Sequence, residues 1–392
     1  MRLVSTTSRL AKPNTAARTA GAAVLGASLV AGPVLADDGR VHASETAQFV
    51  VVEVASGLRR PWGLAFLPDG DLLVTERDGR LRRVRDGVLE PAPLAGTPAV
   101  AASGQGGLLD IALHPGFESN RWLYLSYSGR QGRRSNTSVM RARYGPDGLS
   151  EREVIFEAST SLRSSKHFGS RLAFGPNGRL YVTVGERGER WRAQAADDHY
   201  GSVLRLEDDG SAPPDNPFVA GQGLPEIFSI GHRNPQGLAV QPETGRIFAH
   251  EHGPRGGDEL NLIEAGVNYG WPQASLGREY SGRRIADGLD DPGVRQPLWH
   301  WTPSIAPSGM TFYDGEAFPA WRGNLFVGAL KYELLVRLEL VDGRVVHEER
   351  LLQRQLGRIR DVRVGPDGLI YLLTDERKGS IYRLEPPAVA DR

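Results

Sequence analysis

Four short stretches of the chain concentrate the side chains able to do chemistry. In SSKHFGSRLAF, His167 stands just ahead of an apolar run. A neutral imidazole there can accept a proton near pH 7, or it can cap a loop carbonyl. In GHRNPQGLAV, residues 231–240, Arg233, Asn234 and Gln236 crowd the start of another apolar run. A guanidinium offers a planar fork to carboxylate or quinone oxygens, and the two amides both donate and accept. The same arginine can also brace its fold against a neighbouring acid.

The third stretch, HEHGPRGGDELNLIEAGVNYGWP, is rich in glycine and carries Glu251, Asp258 and Glu259. Carboxylates, and carbonyls exposed by Gly and Pro turns, are ligands for a hard cation such as calcium. The alternating acidic spacing of an EF-hand is absent. The fourth combines Lys331 in GALKYE with Arg358 and Arg360 in GRIRDVRVGPDG. Spacing of i, i+2 sets both arginines on one face of a strand. With Lys331 they form either a cradle for an anion bearing several carboxylates or a solvated basic edge. His199, His250 and His252 fall in no HxxxH or HExxH pattern. The seven tryptophans read as packing residues.

Each polar stretch adjoins a repeated unit. WGLAFLPDGDLLVTE begins at residue 62, and related segments begin at 109, 171, 237, 309 and 362. Every unit is an apolar strand, a turn built from Pro, Gly, Asp or Asn, and a second apolar strand. Proline presets φ at the turn, and Asn or Asp followed by Gly tolerates positive φ, so each unit is a hairpin. The repeat recurs about every 60 residues, with irregular spacing that requires long loops. Six hairpins predict an all-β fold, a six-bladed β-propeller with four-stranded antiparallel blades and long loops at one face. The segments FVVVEVA (49–55) and GSIYRLE (379–385) are expected to close the ring in one blade. A large β-sandwich accounts less well for turn chemistry that recurs along the whole chain.

The 392 residues include 47 basic and 47 acidic side chains, so no bulk charge favours nucleic acid or a membrane surface. Without cysteine there is no disulfide, thiolate nucleophile or cysteine metal site. At the N-terminus, Arg2, Arg9, Lys12 and Arg18 precede the apolar run AGAAVLGASLVAG. Val34 and Ala36 then form a small-residue cleavage pattern. Residues 1–36 are therefore expected to be a secretory signal. Residues 37–392 are expected to form a single catalytic propeller, periplasmic or secreted.

Taken in order, PWGLAFLPDG, GHRNPQGLA, EHGPRGGDELN, GALK and RIRDVRVGPDG resemble the quinoprotein glucose/sorbosone dehydrogenase family, and most closely its bacterial aldose sugar dehydrogenases. The resemblance implies a six-bladed propeller that binds pyrroloquinoline quinone and calcium. It implies oxidation of an aldose at C1 to the lactone, with hydride passing to C5 of the quinone. His167 matches the family's base, and Arg233 matches the arginine that stabilises charge at the quinone oxygen. Gln105, Asn234, Gln236, Lys331, Arg358 and Arg360 match cofactor contacts. Gly253 and Pro254 match the carbonyls that hold the cofactor calcium, while Glu259 and Tyr269 match a second, structural calcium site. Lys166 stands where glucose-specialised relatives carry an acid, which implies a broader aldose range. Short loops imply a monomer, and the lack of a haem motif implies an external electron acceptor. Two rivals remain: a metal-dependent propeller lactonase or esterase, and a non-catalytic propeller that binds a partner. Neither requires the Lys331–Arg358–Arg360 cradle.

Overall fold

The computed structural model describes residues 39–289 and 291–388. The expected signal segment, residues 1–36, lies outside the described residues. Among these residues the fold is nearly all strand, with one four-residue helix, Phe117–Asn120, and two 3₁₀ turns.

Six antiparallel sheets make up the molecule, and each is a blade. Blade 1 spans 61–89, blade 2 spans 108–157, blade 3 spans 169–229, blade 4 spans 235–301 and blade 5 spans 307–351. Blade 6 takes three strands from 359–385 and its fourth, Gln48–Leu58, from the start of the chain. That closing pair is the expected one: Val51 sits opposite Leu384, and Val52 opposite Arg383. The two-residue strand His42–Ala43 extends the same sheet. Closing the ring with strands from both ends removes the open edge on which a linear array would aggregate.

All six repeat hairpins are the two innermost strands of their blades. The first strands pack against one another in chain order around the axis, the sixth beside the first. Blade 3 therefore faces blade 6 across the axis, and blade 4 faces blade 1.

The core lies between blades. Leu73, Ile111 and Leu123 belong to one cluster joining blades 1 and 2. Leu172 and Val139 join blades 2 and 3, and Leu238 and Tyr181 join blades 3 and 4. Phe248 with Phe312 joins 4 to 5, Phe326 with Ile370 joins 5 to 6, and Leu373 with Leu64 joins 6 to 1. Face-to-face burial of apolar strands accounts for the continuous apolar runs in the inner hairpins.

An antiparallel hairpin puts the start of its first strand and the end of its second at one end, with the turn at the other. The Pro/Gly turns therefore share one face of the ring. The segments before each first strand and after each second strand share the opposite mouth. All four polar stretches belong to that mouth.

Candidate active site

At this mouth the inner strands surround a cavity of about 890 Å³. Its floor is apolar: Trp62, Leu109 and Phe168 form one buried cluster and all line the cavity. Asn234, Gln236 and Gln105 supply amides, while Arg77, Arg358, Arg360 and Asp375 form the charged wall.

The charged wall is built by two strand ends of blade 6. Arg360 Nη2 lies 2.7 Å from Asp375 Oδ2, and Arg358 Nη2 lies 3.3 Å from the same oxygen. Arg360 Nη1 also donates to Gln236 Oε1 at 3.3 Å, tying blade 6 to blade 4. Arg77 enters from blade 1 and donates to the carbonyl of Gly104. Three guanidinium groups thus surround one buried carboxylate. The Nε atoms of Arg77 and Arg360 and Oδ1 of Asp375 are buried without a hydrogen-bond partner. With three guanidinium groups against one carboxylate, this wall carries an excess of positive charge that suits an anionic partner of several oxygens. A flat quinone carrying carboxylates fits that requirement, with the apolar floor for its ring and the amides for its edge.

A second, smaller pocket of about 110 Å³ is lined by Lys166, His167, Glu186, Arg233, Trp271 and Tyr280, among others. Chain neighbours join the two spaces: Phe168, Gly169 and Asn234 line the cavity, while His167 and Arg233 line the pocket.

His167 is held from three sides. Its Nδ1 lies 2.6 Å from Glu186 Oε1. Its backbone N–H donates to Gln105 Oε1 at 2.6 Å. Its carbonyl passes over Gly185, where a Cβ would collide with it. Nε2 makes no hydrogen bond among the described residues. Burial lowers the imidazole pKa from its usual 6.5; Glu186 opposes that shift and the Arg233 charge assists it. The ring is therefore neutral at pH 7, and it can accept a proton at Nε2 while Glu186 fixes the tautomer.

The loop under His167 depends on Arg187, whose guanidinium is buried. It donates to the carbonyls of Lys166 and Ser135, at 3.0 and 2.9 Å, and to that of Ser164. It also lies 3.6 Å from the centre of the Phe168 ring. Consecutive residues thus divide the task, Glu186 holding the ring and Arg187 holding its backbone.

Arg233 makes no ion pair among the described residues. Its Nη1 donates to the carbonyl of His252 at 2.7 Å, and its guanidinium lies 5.2 Å from the Trp271 ring centre. The bracing reading of this arginine therefore falls away for its side chain. Bracing is done by its backbone instead: Glu251 accepts the Arg233 N–H and, 2.9 Å away, faces Nδ1 of His232. His232 contacts Ser229 through Nε2 and stacks on Tyr269, so it is a packing residue.

The Gly253–Pro254 turn is tied by its Gly253 N–H to Asp258 Oδ1 at 2.8 Å. Asp258 Oδ2 in turn accepts from Ser304, Ile305 and Ala306, locking the turn to blade 5. Glu259 sits opposite Glu251 on the neighbouring strand. Burial and that second carboxylate push the Glu259 pKa well up. A like-charged buried pair accommodates a cation or a proton. The Tyr269 phenol is engaged with the backbone of Leu262 and Glu264. No group of three or more His, Cys, Asp or Glu side chains suited to a metal occurs among the described residues. Lys331 is exposed, its ammonium 4.9 Å from the Tyr332 ring centre, and lies outside the cavity lining.

Several members of the site went unread in the sequence: Glu186, Arg187, Arg77, Asp375, Trp62, Trp271 and Tyr280. Trp62 and Trp271, read as packing residues, are indeed buried, and they also line the two spaces. Asp375 and Arg77 did carry a signal, since each ends or follows an inner hairpin, as the recognised residues do.

The glucose/sorbosone dehydrogenase family model matches residues 58–383. Aldose sugar dehydrogenase of Escherichia coli is 43% identical over 337 residues, covering 84% of this chain and 91% of that protein. A crystal structure of a glucose dehydrogenase superposes with a TM-score of 0.83 at 48% identity, over 85% of this chain and 98% of the other. The PQQ-bound aldose sugar dehydrogenase of Streptomyces coelicolor superposes with a TM-score of 0.72 at 31% identity, over 87% and 100%.

Proposed function

Because the chain belongs to the glucose/sorbosone dehydrogenase family, it is a sugar oxidoreductase. We propose that it uses pyrroloquinoline quinone to oxidise aldoses at C1 to the lactone. The observation that carries this reading is the pairing inside the small pocket. A neutral His167, its Nδ1 held by Glu186, stands with an arginine that has no ion pair. When bound, the quinone would supply the two-electron acceptor for this oxidation.

His167 Nε2 takes the proton from the C1 hydroxyl, and Glu186 steadies the imidazolium that results. Arg233 offers a fixed guanidinium to the negative charge that develops on the acceptor side, in a site largely closed to water. Arg358 and Arg360 hold the cofactor carboxylates, with Lys331 at the outer edge. Asn234, Gln236 and Gln105 orient the remaining polar edge. The carbonyls of Gly253 and Pro254 would hold a calcium ion supplying Lewis-acid chemistry beside the cofactor, and Glu259 with Tyr269 would hold a structural one. The small pocket takes the sugar, between Lys166, Trp271 and Tyr280. Residues 1–36 act as the export signal, so that the mature chain from residue 37 works outside the cytoplasm as a monomer and passes its electrons to an external acceptor.

The test is reconstitution. Purified protein supplied with calcium and pyrroloquinoline quinone should reduce a dye in the presence of several aldoses. Cofactor binding without any aldose-dependent reduction overturns the reading.

A further inference from the structure

Charge is distributed unevenly around the mouth. Overall the chain balances 47 basic against 47 acidic residues. The cavity wall on blades 6 and 1 carries Arg60, Arg77, Arg358, Arg360, Arg377 and Lys378, against only Asp375 and Glu376. The inner members are engaged, Arg358 and Arg360 by Asp375 and Arg77 by carbonyls. Arg60, Arg377 and Lys378 are not. All three are exposed, and their side chains make no hydrogen bond or ion pair among the described residues. The Arg60 N–H donates to the Glu376 carbonyl at 2.8 Å, so the two loops that carry these cations are joined.

This edge lies across the axis from the sugar side. His167 precedes the first strand of blade 3, and Arg233 precedes that of blade 4. Arg60 precedes the first strand of blade 1, while Arg377 and Lys378 follow the second strand of blade 6. Blades 6 and 1 are the two that face blades 3 and 4. A partner seated on the basic edge therefore approaches the cavity without covering the small pocket.

We propose that Arg60, Arg377 and Lys378 form the docking surface for an acidic one-electron acceptor protein. The proposal rests on the dehydrogenase reading above. Each turnover delivers two electrons: one aldose and two oxidised acceptors give one lactone, two reduced acceptors and two protons. One proton leaves through His167, and the other is released to water. A one-electron carrier must visit twice per sugar, so association has to be fast. Unpaired surface cations beside the redox cavity steer an acidic partner to it. The three charges border the cavity and are exposed to solvent, so an acidic face can reach them there.

The test compares the reconstituted wild type with an Arg60→Glu/Arg377→Glu/Lys378→Glu variant. The acceptors are an acidic c-type cytochrome and an uncharged short-chain benzoquinone. Wild-type reduction of the cytochrome should fall about tenfold between about 20 and about 300 mM salt. The variant should start about tenfold lower and respond little to salt. Because the three residues border the cofactor cavity, both proteins are saturated with quinone and the benzoquinone rate of each serves as its own reference: the ratio of cytochrome to benzoquinone rate should fall about tenfold in the variant. An equal ratio in both proteins, or a wild-type cytochrome rate indifferent to salt, overturns the docking surface while the benzoquinone rate upholds the sugar activity. If neither protein reduces benzoquinone with any aldose, the activity reading fails instead. Surface plasmon resonance with the same cytochrome at low salt then judges the surface alone: tenfold weaker binding by the variant supports it, and equal binding overturns it.

Discussion

Nδ1 of His167 lies 2.6 Å from Oε1 of Glu186, 19 positions further along the chain. Both side chains are buried, and Glu186 also accepts the N–H of Gly188. The carboxylate is anchored before it orients the ring, which suits it to positioning His167, the proposed base, rather than to accepting the proton itself. His167→Ala should bind cofactor normally and lose about 10²–10⁴ in kcat. Glu186→Gln should fall between that variant and wild type, with cofactor titration unchanged. A fully active Glu186→Gln would show that the pair is structural only.

The pH profile follows from the same contact. Burial lowers the His167 pKa below 6.5, so its basic form is already dominant at neutral pH. The logarithm of kcat/KM should rise with pH along a limb below 6.5 and be flat above it. Glu186 raises this pKa and Arg233 lowers it. Glu186→Gln should therefore move the limb to lower pH, and Arg233→Gln should move it to higher pH. Shifts in the opposite directions would mean that another group controls the limb.

Cofactor retention should depend on the Asp375 cluster. Arg360→Ala removes the 2.7 Å contact to Asp375 and leaves Arg358 as the only ion-pair partner of that buried carboxylate among the described residues. The dissociation constant for the quinone, read by fluorescence titration, should rise about tenfold or more. Lys331→Ala, altering a residue outside the lining, should have a smaller effect on the same titration.

Arg187 offers a separate check on the loop. Arg187→Met keeps much of the contact with Phe168 but strands the carbonyls of Ser135, Ser164 and Lys166. Stability in urea should drop by roughly 2–4 kcal/mol, because buried acceptors lose a charged donor. In the fraction that remains folded, kcat should fall while cofactor affinity holds. Unchanged kcat would separate the loop from the chemistry.

Ring closure can be probed at Leu384, which is fully buried between Phe49 and the inner strands of blade 6. Leu384→Ala should cost about 2–5 kcal/mol by chemical denaturation. A negligible loss would show that the closing strand contributes little to the fold.

How much of this the sequence disclosed varies with distance along the chain. Inner hairpins were legible because their turns are local: Pro, Asp or Asn, and Gly set the backbone within four residues. The outer strands were less so: blades 1, 2 and 5 turn theirs on Asp86–Gly87, Asp147–Gly148 and Asp342–Gly343, but the remaining blades reach theirs through long loops or from the other end of the chain. The segment 264–298 is the extreme case. It has no hairpin period, yet it delivers Trp271 and Tyr280 to the small pocket.

The sequence by itself determined the six inner hairpins, the closing pair 49–55 with 379–385, and the placing of His167, Arg233, Asn234, Gln236, Arg358 and Arg360 at strand entries. All of these follow from turn preferences and apolar runs that act over a few residues. Only the tertiary structure decided that Glu186 meets His167, that Arg77 and Arg360 surround Asp375, and that the basic edge stands opposite the small pocket. Those relationships join residues on different strands and blades. They exist only once the ring has closed and brought distant strand ends to one mouth.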